Sequence, residues 1–191
     1  GTEKGLSKFD KKSFTNYFSQ ETHTTAVYLT RQDQSGNILL CTSGGLFRSK
    51  ANRWYHLNNL QDAPVQSVSE DKNKNLWLGT TDGIRVYDGT DLFTINEKAG
   101  LINNNVTGIL RDHKDNMWFS TRGGLSNLTP RQRELLWRQI RNGGRRVDDV
   151  FFLNYGYYEN FLGIGNGKQS LTETHQHQIC IGTAKGVTLF N

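Results

Sequence analysis

The stretch Asn75-Leu76-Trp77-Leu78-Gly79-Thr80-Thr81-Asp82-Gly83-Ile84 decides the fold of this chain, because close copies of it occur elsewhere. Residues 39–46 and 118–125 follow the same pattern of an apolar run, a threonine and a glycine-containing turn. Shorter matches occupy residues 1–6 and 182–187. The aligned threonines are Thr2, Thr42, Thr80, Thr121 and Thr183, so the steps between them are 40, 38, 41 and 62 residues. Three nearly equal steps indicate a tandem repeat, and the longer last step predicts an insertion of about 20 residues.

A second recurring pattern precedes these runs and predicts a strand followed by a tight turn. Val65, Val68 and Asp71 recur as Val106, Ile109 and Asp112, and more loosely as Val27, Thr30 and Asp33. The turn that follows each aspartate ends in an asparagine, at Asn37, Asn75 and Asn116. Asp and Asn favour turns because their side chains hydrogen-bond nearby main-chain groups and tolerate left-handed backbone. Each repeat therefore begins with a strand, a turn and a second strand that is apolar on both faces.

Two further strands complete each predicted unit. The third follows the glycine-containing turn, as at residues 83–87, and an aromatic segment such as Leu92-Phe93 supplies the fourth. Four antiparallel strands every 38 to 41 residues is the repeat length of a β-propeller blade, whose two faces pack on neighbouring blades. We predict an all-β chain of about four four-stranded blades in an arc or a small ring. Residues 1–191 form one propeller segment, with units ending near residues 20, 60, 100, 145 and 191 and an insertion at about 143–176.

The combined pattern resembles the two-component regulator propeller repeat. It consists of Val-x-x-Val-x-x-Asp at residues 65–71, a polar turn, the stretch quoted above and Tyr87-Asp88. The match is closest in the units ending near Asp88 and Thr129, and the last unit departs from it by having Cys180 at the tryptophan position. The resemblance implies the extracytoplasmic sensor of a bacterial sensor or hybrid histidine kinase. Because such sensors resemble rings of seven or so blades, the chain is expected to be an arc of a larger propeller.

An open arc would leave blade faces and strand edges without partners. Closure of a sheet array or pairing with another chain normally removes such edges. The sequence therefore leaves two alternatives, a closed four-bladed ring or the association of two copies.

Composition and charge exclude several classes of protein. The net charge of the 191 residues is +5, and the segment 131–146, with six Arg and one Glu, carries a charge of the same size. One local cluster gives little support for nucleic-acid binding, which spreads phosphate contacts along a surface, so no nucleic-acid partner is predicted. No apolar run is long enough to cross a bilayer and residues 1–10 contain no apolar signal region, so membrane attachment is expected only through flanking segments.

The basic stretch after Thr129 is compatible with two structures. Thr129-Pro130 with Gln132 is typical of a helix start, and Gly143 of a helix end. However, residues 135–140 lie close to the place where a fourth strand is due. The strand is the favoured interpretation.

Three motifs suggest ion or phosphate binding and are weighed against simpler interpretations. Residues 71–75 imitate half of a calcium loop, but Leu76 replaces the required glycine, so a structural turn is favoured. Residues 163–168 resemble a phosphate loop but lack two residues of the Walker pattern. Glu173, His175 and His177 would share one face of an extended segment, as three metal ligands do, yet no fourth ligand is identifiable. A solvent-exposed loop is favoured there, and neither a metal site nor a cofactor is predicted.

The remaining residues of interest carry no catalytic pattern. His23, His56 and His113 are interpreted as isolated surface residues, and Cys41 and Cys180 as small buried ones. No Gly-x-Ser-x-Gly and no kinase or hydrolase motif occurs, so we predict that this chain is not an enzyme. A propeller glycosidase is disfavoured because the acidic residues mostly occupy repeated turn positions.

A ligand site is expected at the turns between the second and third strands, where the frame is constant and the side chains vary. A rigid scaffold with variable loops suits recognition. The candidate binding residues are Lys4, Ser43, Asp82, Arg122 and Lys185. The resemblance implies a periplasmic sensor segment that perceives a carbohydrate or similar ligand, with any histidine kinase outside this chain. The alternative is a non-catalytic propeller that binds a protein partner or a second copy of itself.

Overall fold

The computed structural model describes residues 1–17, 26–51, 53–57, 63–142, 152–156, 170–183 and 186–190. These residues form five antiparallel sheets and one α-helix. The first sheet contains β1 (Leu6–Phe9) and β2 (Phe14–Tyr17), and the second contains β3 (Val27–Gln32), β4 (Ile38–Thr42), β5 (Gly45–Lys50) and β6 (Arg53–His56). The third contains β7 (Ser67–Glu70), β8 (Leu76–Thr80), β9 (Gly83–Tyr87) and β10 (Leu92–Ile95). The fourth contains β11 (Val106–Arg111), β12 (Met117–Thr121), β13 (Gly124–Leu128) and β14 (Leu153–Tyr155), and the fifth contains β15 (Leu171–Glu173), β16 (Ile179–Thr183) and β17 (Gly186–Phe190).

Within each sheet the strands are adjacent in chain order, as a propeller blade requires. The first strands of successive sheets are in contact: β3 contacts β7, β7 contacts β11, and β11 contacts β15. Those strands therefore lie along the inner side of the arc. The predicted all-β fold of propeller blades is confirmed.

The core lies between the sheets, because each blade buries one face against the next. Trp77 of β8 is fully buried and its ring centroid lies 5.9 Å from that of Phe119 in β12. Leu39 and Leu78 belong to a similar cluster between the second and third sheets, and Trp118 to one between the fourth and fifth. The middle strands β4, β8 and β12 are buried almost throughout, as their apolar sequences predict.

The aspartate turns are held together by a buried carboxylate. Asp71 accepts hydrogen bonds from the main-chain N–H groups of Asn73 and Asn75, from the Asn75 amide and from the Trp77 indole. The carboxylate is occupied by nitrogen donors, so the interpretation of residues 71–75 as a structural turn is confirmed. Asp112 makes the equivalent bond to the Trp118 indole at 2.8 Å.

The second sheet replaces the indole with a guanidinium. Leu39 stands where Trp77 stands in the third sheet, and it has no donor to offer. Its cross-strand neighbour Arg48 instead donates to Asp33, whose side chain is fully buried. In the fifth sheet, Cys180 and Thr174 replace both the donor and the aspartate. In the turns of the second to fifth sheets that the structure describes, the buried carboxylate and its side-chain donor occur together.

This pairing makes the Asp33 turn sensitive to pH. Burial raises the pKa of Asp33, but the hydrogen bonds from Asn37 and Arg48 outweigh burial and lower the pKa below its ordinary value. A carboxylate with a lowered pKa stabilises the folded state above its unfolded pKa and loses that contribution as the pH falls. We expect Asp33→Asn to cost about 1 kcal/mol at neutral pH, with the difference from the parent shrinking below about pH 4. Urea unfolding across this pH range measures it.

Asp82→Asn is the matched control, because Asp82 is exposed. A difference between the parent and Asp33→Asn that stayed constant down to the most acidic pH would contradict the proposed role of the charged carboxylate.

The favoured strand at residues 135–140 is wrong, since the helix α1 occupies Pro130–Arg141. Thr129 caps it through a capping box with Gln132, a local signal that the sequence contains. Leu136 and Ile140 are buried, whereas Leu135, which the strand would have used, is 47% exposed. Apolar residues at helical spacing pack onto the neighbouring sheets, and this outweighs the expected blade length.

The fourth sheet is instead completed by β14, which lies inside the predicted insertion and pairs with β13. The phosphate-loop candidate at 163–168, His23, Gly143 and the predicted unit boundaries near residues 20, 60, 145 and 191 lie outside the described residues. In the part of the chain that the structure describes, no helix has the length and apolar character to span a membrane.

Candidate functional site

The turns between second and third strands share one construction. In each, the threonine Oγ1 donates to the carbonyl oxygen of the glycine three residues later, at 2.8–3.1 Å. The turn needs glycine at that position: Gly83 has φ of 111°, and a Cβ there would lie 2.4 Å from the carbonyl oxygen of Ile95. The turn therefore constrains the threonine and the glycine, while the hydrogen bond that closes it uses no side chain of the two residues between them.

Main-chain hydrogen bonds connect these turns into a row, which we call the threonine-turn rim. The bonds run from Val27 N to Thr2 O (2.9 Å), from Val65 N to Thr42 O (3.0 Å), from Gly83 N to Asn104 O (2.7 Å) and from Arg122 N to Asn105 O (3.1 Å). The first three link each sheet to the next. The turns of the first four sheets therefore follow one another along the same end of the array.

Four of the predicted binding residues lie on this rim. Lys4, Asp82 and Arg122 are exposed, and Ser43 is half-buried. Lys185 lies outside the described residues. The structure therefore places four of these residues in the same row of turns.

The rim contains polar groups that sequence reasoning missed. Asn104 accepts a hydrogen bond from the main-chain N–H of Glu97 at 2.8 Å, and the Glu97 carboxylate accepts one from the Asn104 N–H at 2.9 Å. Gln66 donates to Asn105 at 3.0 Å. The sequence signal that could have identified these groups is the run of three asparagines at residues 103–105, just before the first strand of the fourth sheet. Together with Asp82 and Arg122, they give this part of the rim carboxylate, amide and guanidinium groups.

A cleft of about 400 Å³ lies between the first and second sheets. Its lining combines Tyr17 and Trp54, whose ring centroids are 6.1 Å apart, with the polar residues Lys8, Arg31 and Gln32. Aromatic rings beside polar groups suit a ligand that has both apolar and hydroxyl surface. The cleft is a second place where a small molecule can bind.

Three potential metal ligands lie close together at the end of the fourth and fifth sheets that is opposite the threonine-turn rim. His113, Glu173 and His177 each offer one ligand atom, and these atoms lie within 4.8 Å of one another. Interpreting His113 as an isolated residue was therefore wrong. His175 is exposed and does not belong to this group.

The remaining sequence candidates have structural surroundings. His56 is half-buried, its Nε2 lies 3.0 Å from the Gly44 carbonyl oxygen, and its ring stacks on Phe47. Cys41 is buried, as predicted, and burial raises the pKa of its thiol strongly. Cys180 is only half-buried.

Comparison with known families supports the repeat. The family model described as two component regulator propeller matches residues 59–82 and 100–123. These two segments of the chain are similar to the two-component regulator propeller repeat. Each match contains the whole aspartate turn and ends in the threonine turn, so the matched segments include the rim residues Asp82 and Arg122. A search of curated proteins gives no match.

Solved structures share the propeller fold. The extracellular domain of a B. thetaiotaomicron protein described as a hybrid two component system, BT3049, is 19% identical with a TM-score of 0.72, over 100% of this chain and 26% of that one. The corresponding domain of BT4673 is 14% identical with a TM-score of 0.69, over 99% of this chain and 25% of that one. A virginiamycin B lyase from Staphylococcus aureus is 13% identical with a TM-score of 0.61, over 99% of this chain and 63% of that one. The chain thus spans about a quarter of those two extracellular domains.

Proposed function

We propose that this chain is the ligand-sensing part of a two-component regulatory protein, located outside the cytoplasm. The observation that carries the proposal is the pair of propeller repeats, whose variable turns lie in one row on a common frame. The structural neighbours described as extracellular domains of two component systems support the same location. In this proposal, ligand binding biases a two-state equilibrium that an output domain outside this chain converts into a signal.

The proposed ligand is a carbohydrate or a similar polyhydroxylated molecule. Arg122 and Asp82 supply a donor and an acceptor at neighbouring turns, and the amides of residues 103–105 lie beside them. Polar planar side chains that are held in place by main-chain contacts orient hydroxyl groups at low entropic cost. The side chains of Asp82 and Arg122 are not needed to build their turns, since Thr80 and Thr121 close those turns.

We expect a suitable oligosaccharide to raise the melting temperature of the chain, because a ligand that binds only the folded state stabilises it by mass action. A thermal-shift screen with a panel of oligosaccharides tests this. With the sugar that binds, Arg122→Ala should weaken the affinity by about tenfold or more, the loss that one charged hydrogen bond produces. The main-chain bond from Arg122 to Asn105 is retained in that variant.

Arg141→Ala is the matched control, because Arg141 is an exposed arginine of the helix α1 and is not one of the turn residues of the threonine-turn rim. Equal affinity of the parent, Arg122→Ala and Asp82→Ala for that sugar would contradict a site on the rim. In that case the cleft lined by Trp54 would be examined by Trp54→Ala.

A propeller that mediates self-association is the second candidate. Phe9 and Phe14 of the first sheet are 56% and 69% exposed, and Val187 and Leu189 of the fifth sheet are 69% and 55% exposed. Exposed apolar residues on the two outermost described sheets indicate faces that further blades or another copy would cover. A dimer by light scattering without stabilisation by any sugar would favour this candidate, and a monomer would exclude association.

A further inference from the structure

The cluster of His113, Glu173 and His177 joins two neighbouring blades. Glu173 ends β15 and His177 lies in the turn that follows, whereas His113 belongs to the aspartate turn of the fourth sheet. The Glu173 carboxylate contacts Nδ1 of His113 and lies 3.2 Å from Nδ1 of His177. The two imidazole rings face each other with centroids 3.8 Å apart.

Comparison with the earlier blades separates what belongs to the scaffold from what is added. Glu70 of the third sheet holds the same position as Glu173, and it accepts the main-chain N–H of Gln34 at 2.6 Å. Glu173 accepts the main-chain N–H of His113 at 3.1 Å in the same way. The carboxylate contact between blades is therefore a repeated structural feature. The two imidazoles are specific to the junction of the fourth and fifth sheets. At the junction of the second and third sheets, Gln34 holds the position of His113 and Lys74 holds the position of His177.

We propose that His113, Glu173 and His177 bind a divalent transition-metal ion, with Zn²⁺ as the preferred occupant. Two imidazoles and one carboxylate are a common ligand set for Zn²⁺, which completes its tetrahedron with water. The side chains are 34%, 18% and 60% exposed, respectively, so the site opens to solvent on one side and a water can take the fourth position. Calcium and magnesium prefer all-oxygen ligands and are disfavoured here.

The ion would clamp the fifth sheet to the fourth, because one ligand comes from one sheet and two from the other. Its binding energy would then appear as stability of this junction. This inference is independent of the proposed sensing function, since the cluster lies at the opposite end of the sheets from the threonine-turn rim.

The test uses the full chain without a metal-affinity tag, freed of metal with EDTA. Isothermal titration with Zn²⁺ should give one saturable site per chain, and Zn²⁺ should raise the melting temperature reversibly. His113→Gln and His177→Gln should each weaken the affinity by at least about tenfold, since even an outer partner of a metal ligand has effects of this size. Gln at position 113 reproduces the residue found at Gln34, so the main-chain contact to Glu173 is expected to persist.

His175→Gln is the matched control, because it removes an exposed imidazole two residues from His177. It should bind Zn²⁺ like the parent, and the metal-free variants should unfold at the parent's urea concentration. Absence of saturable binding to the parent, or equal affinities of all three variants, would overturn the proposal. A thiolate-to-metal charge-transfer band with Co²⁺ would also overturn it, because it would assign the binding to Cys180.

Discussion

Asp71→Ala is expected to lower the free energy of unfolding by about 3 kcal/mol, because it leaves buried donors without their acceptor. Four hydrogen bonds converge on this carboxylate, and Asp71, Asn75 and Trp77 are buried, whereas residues 72–74 of the turn are exposed. A buried N–H group that loses this acceptor cannot form a hydrogen bond to water instead. Urea unfolding followed by tryptophan fluorescence measures the loss, and the indole emission itself should shift when its bond to Asp71 is removed.

Asp82→Ala is the control for this experiment, since it removes an exposed carboxylate from the opposite end of the same sheet. Surface substitutions of this kind change stability by about 0.5 kcal/mol or less. If Asp71→Ala and Asp82→Ala unfolded at the same urea concentration, the carboxylate would not be what holds the turn together.

Gly79→Ala is expected to cost about 2–3 kcal/mol, because adjacent blades approach each other at this glycine. A Cβ on Gly79 would lie 2.3 Å from Ser67 Oγ and 2.8 Å from the carbonyl oxygen of Val106 in the next sheet. The serine can rotate away, but the carbonyl belongs to the hydrogen-bonded strand β11 and cannot move without separating the sheets. Thermal and urea unfolding of the variant test this.

The repeat supplies a matched control for it. Gly182 holds the position of Gly79 in the fifth sheet, yet a Cβ there would meet its nearest atom, Ser170 Cβ, at 3.4 Å, an ordinary contact. Gly182→Ala should therefore be close to neutral. Equal losses in the two variants would contradict the role of the Val106 carbonyl, because the fifth sheet has no such close approach at Gly182.

The aspartate turns show how far a sequence repeat predicts energetics. That Asp33, Asp71 and Asp112 begin turns follows from their spacing and from the turn preference of Asp. Which side chain donates a hydrogen bond to each carboxylate does not, because the donor lies on another strand of the sheet. Trp77 serves Asp71 and Arg48 serves Asp33, and the second of these pairs becomes visible only through the strand register.

The candidate site divides in the same way. The threonine-turn rim was predictable, since equal spacing places Ser43, Asp82 and Arg122 at equivalent turns of stacked blades. The metal cluster was not, because His113 and Glu173 are 60 residues apart and the intervening segment is longer than in the other repeats. Alternation along an extended strand suggested Glu173, His175 and His177 as a possible ligand set, but that segment turns after β15. The turn places His177 beside Glu173 and leaves His175 outside the cluster.

The sequence by itself determined the repeat, the strands, the glycine and aspartate turns and hence the propeller architecture, because these depend on residue types at short spacing. Only the tertiary structure decided that residues 130–141 form a helix, that β14 completes the fourth sheet and that two blades bring three potential metal ligands together. The physical reason is that the outcome in each case depends on which surfaces lie close enough to be buried or paired. A local pattern records the preference of a segment, whereas the neighbouring sheets supply the contacts that select among its possible structures.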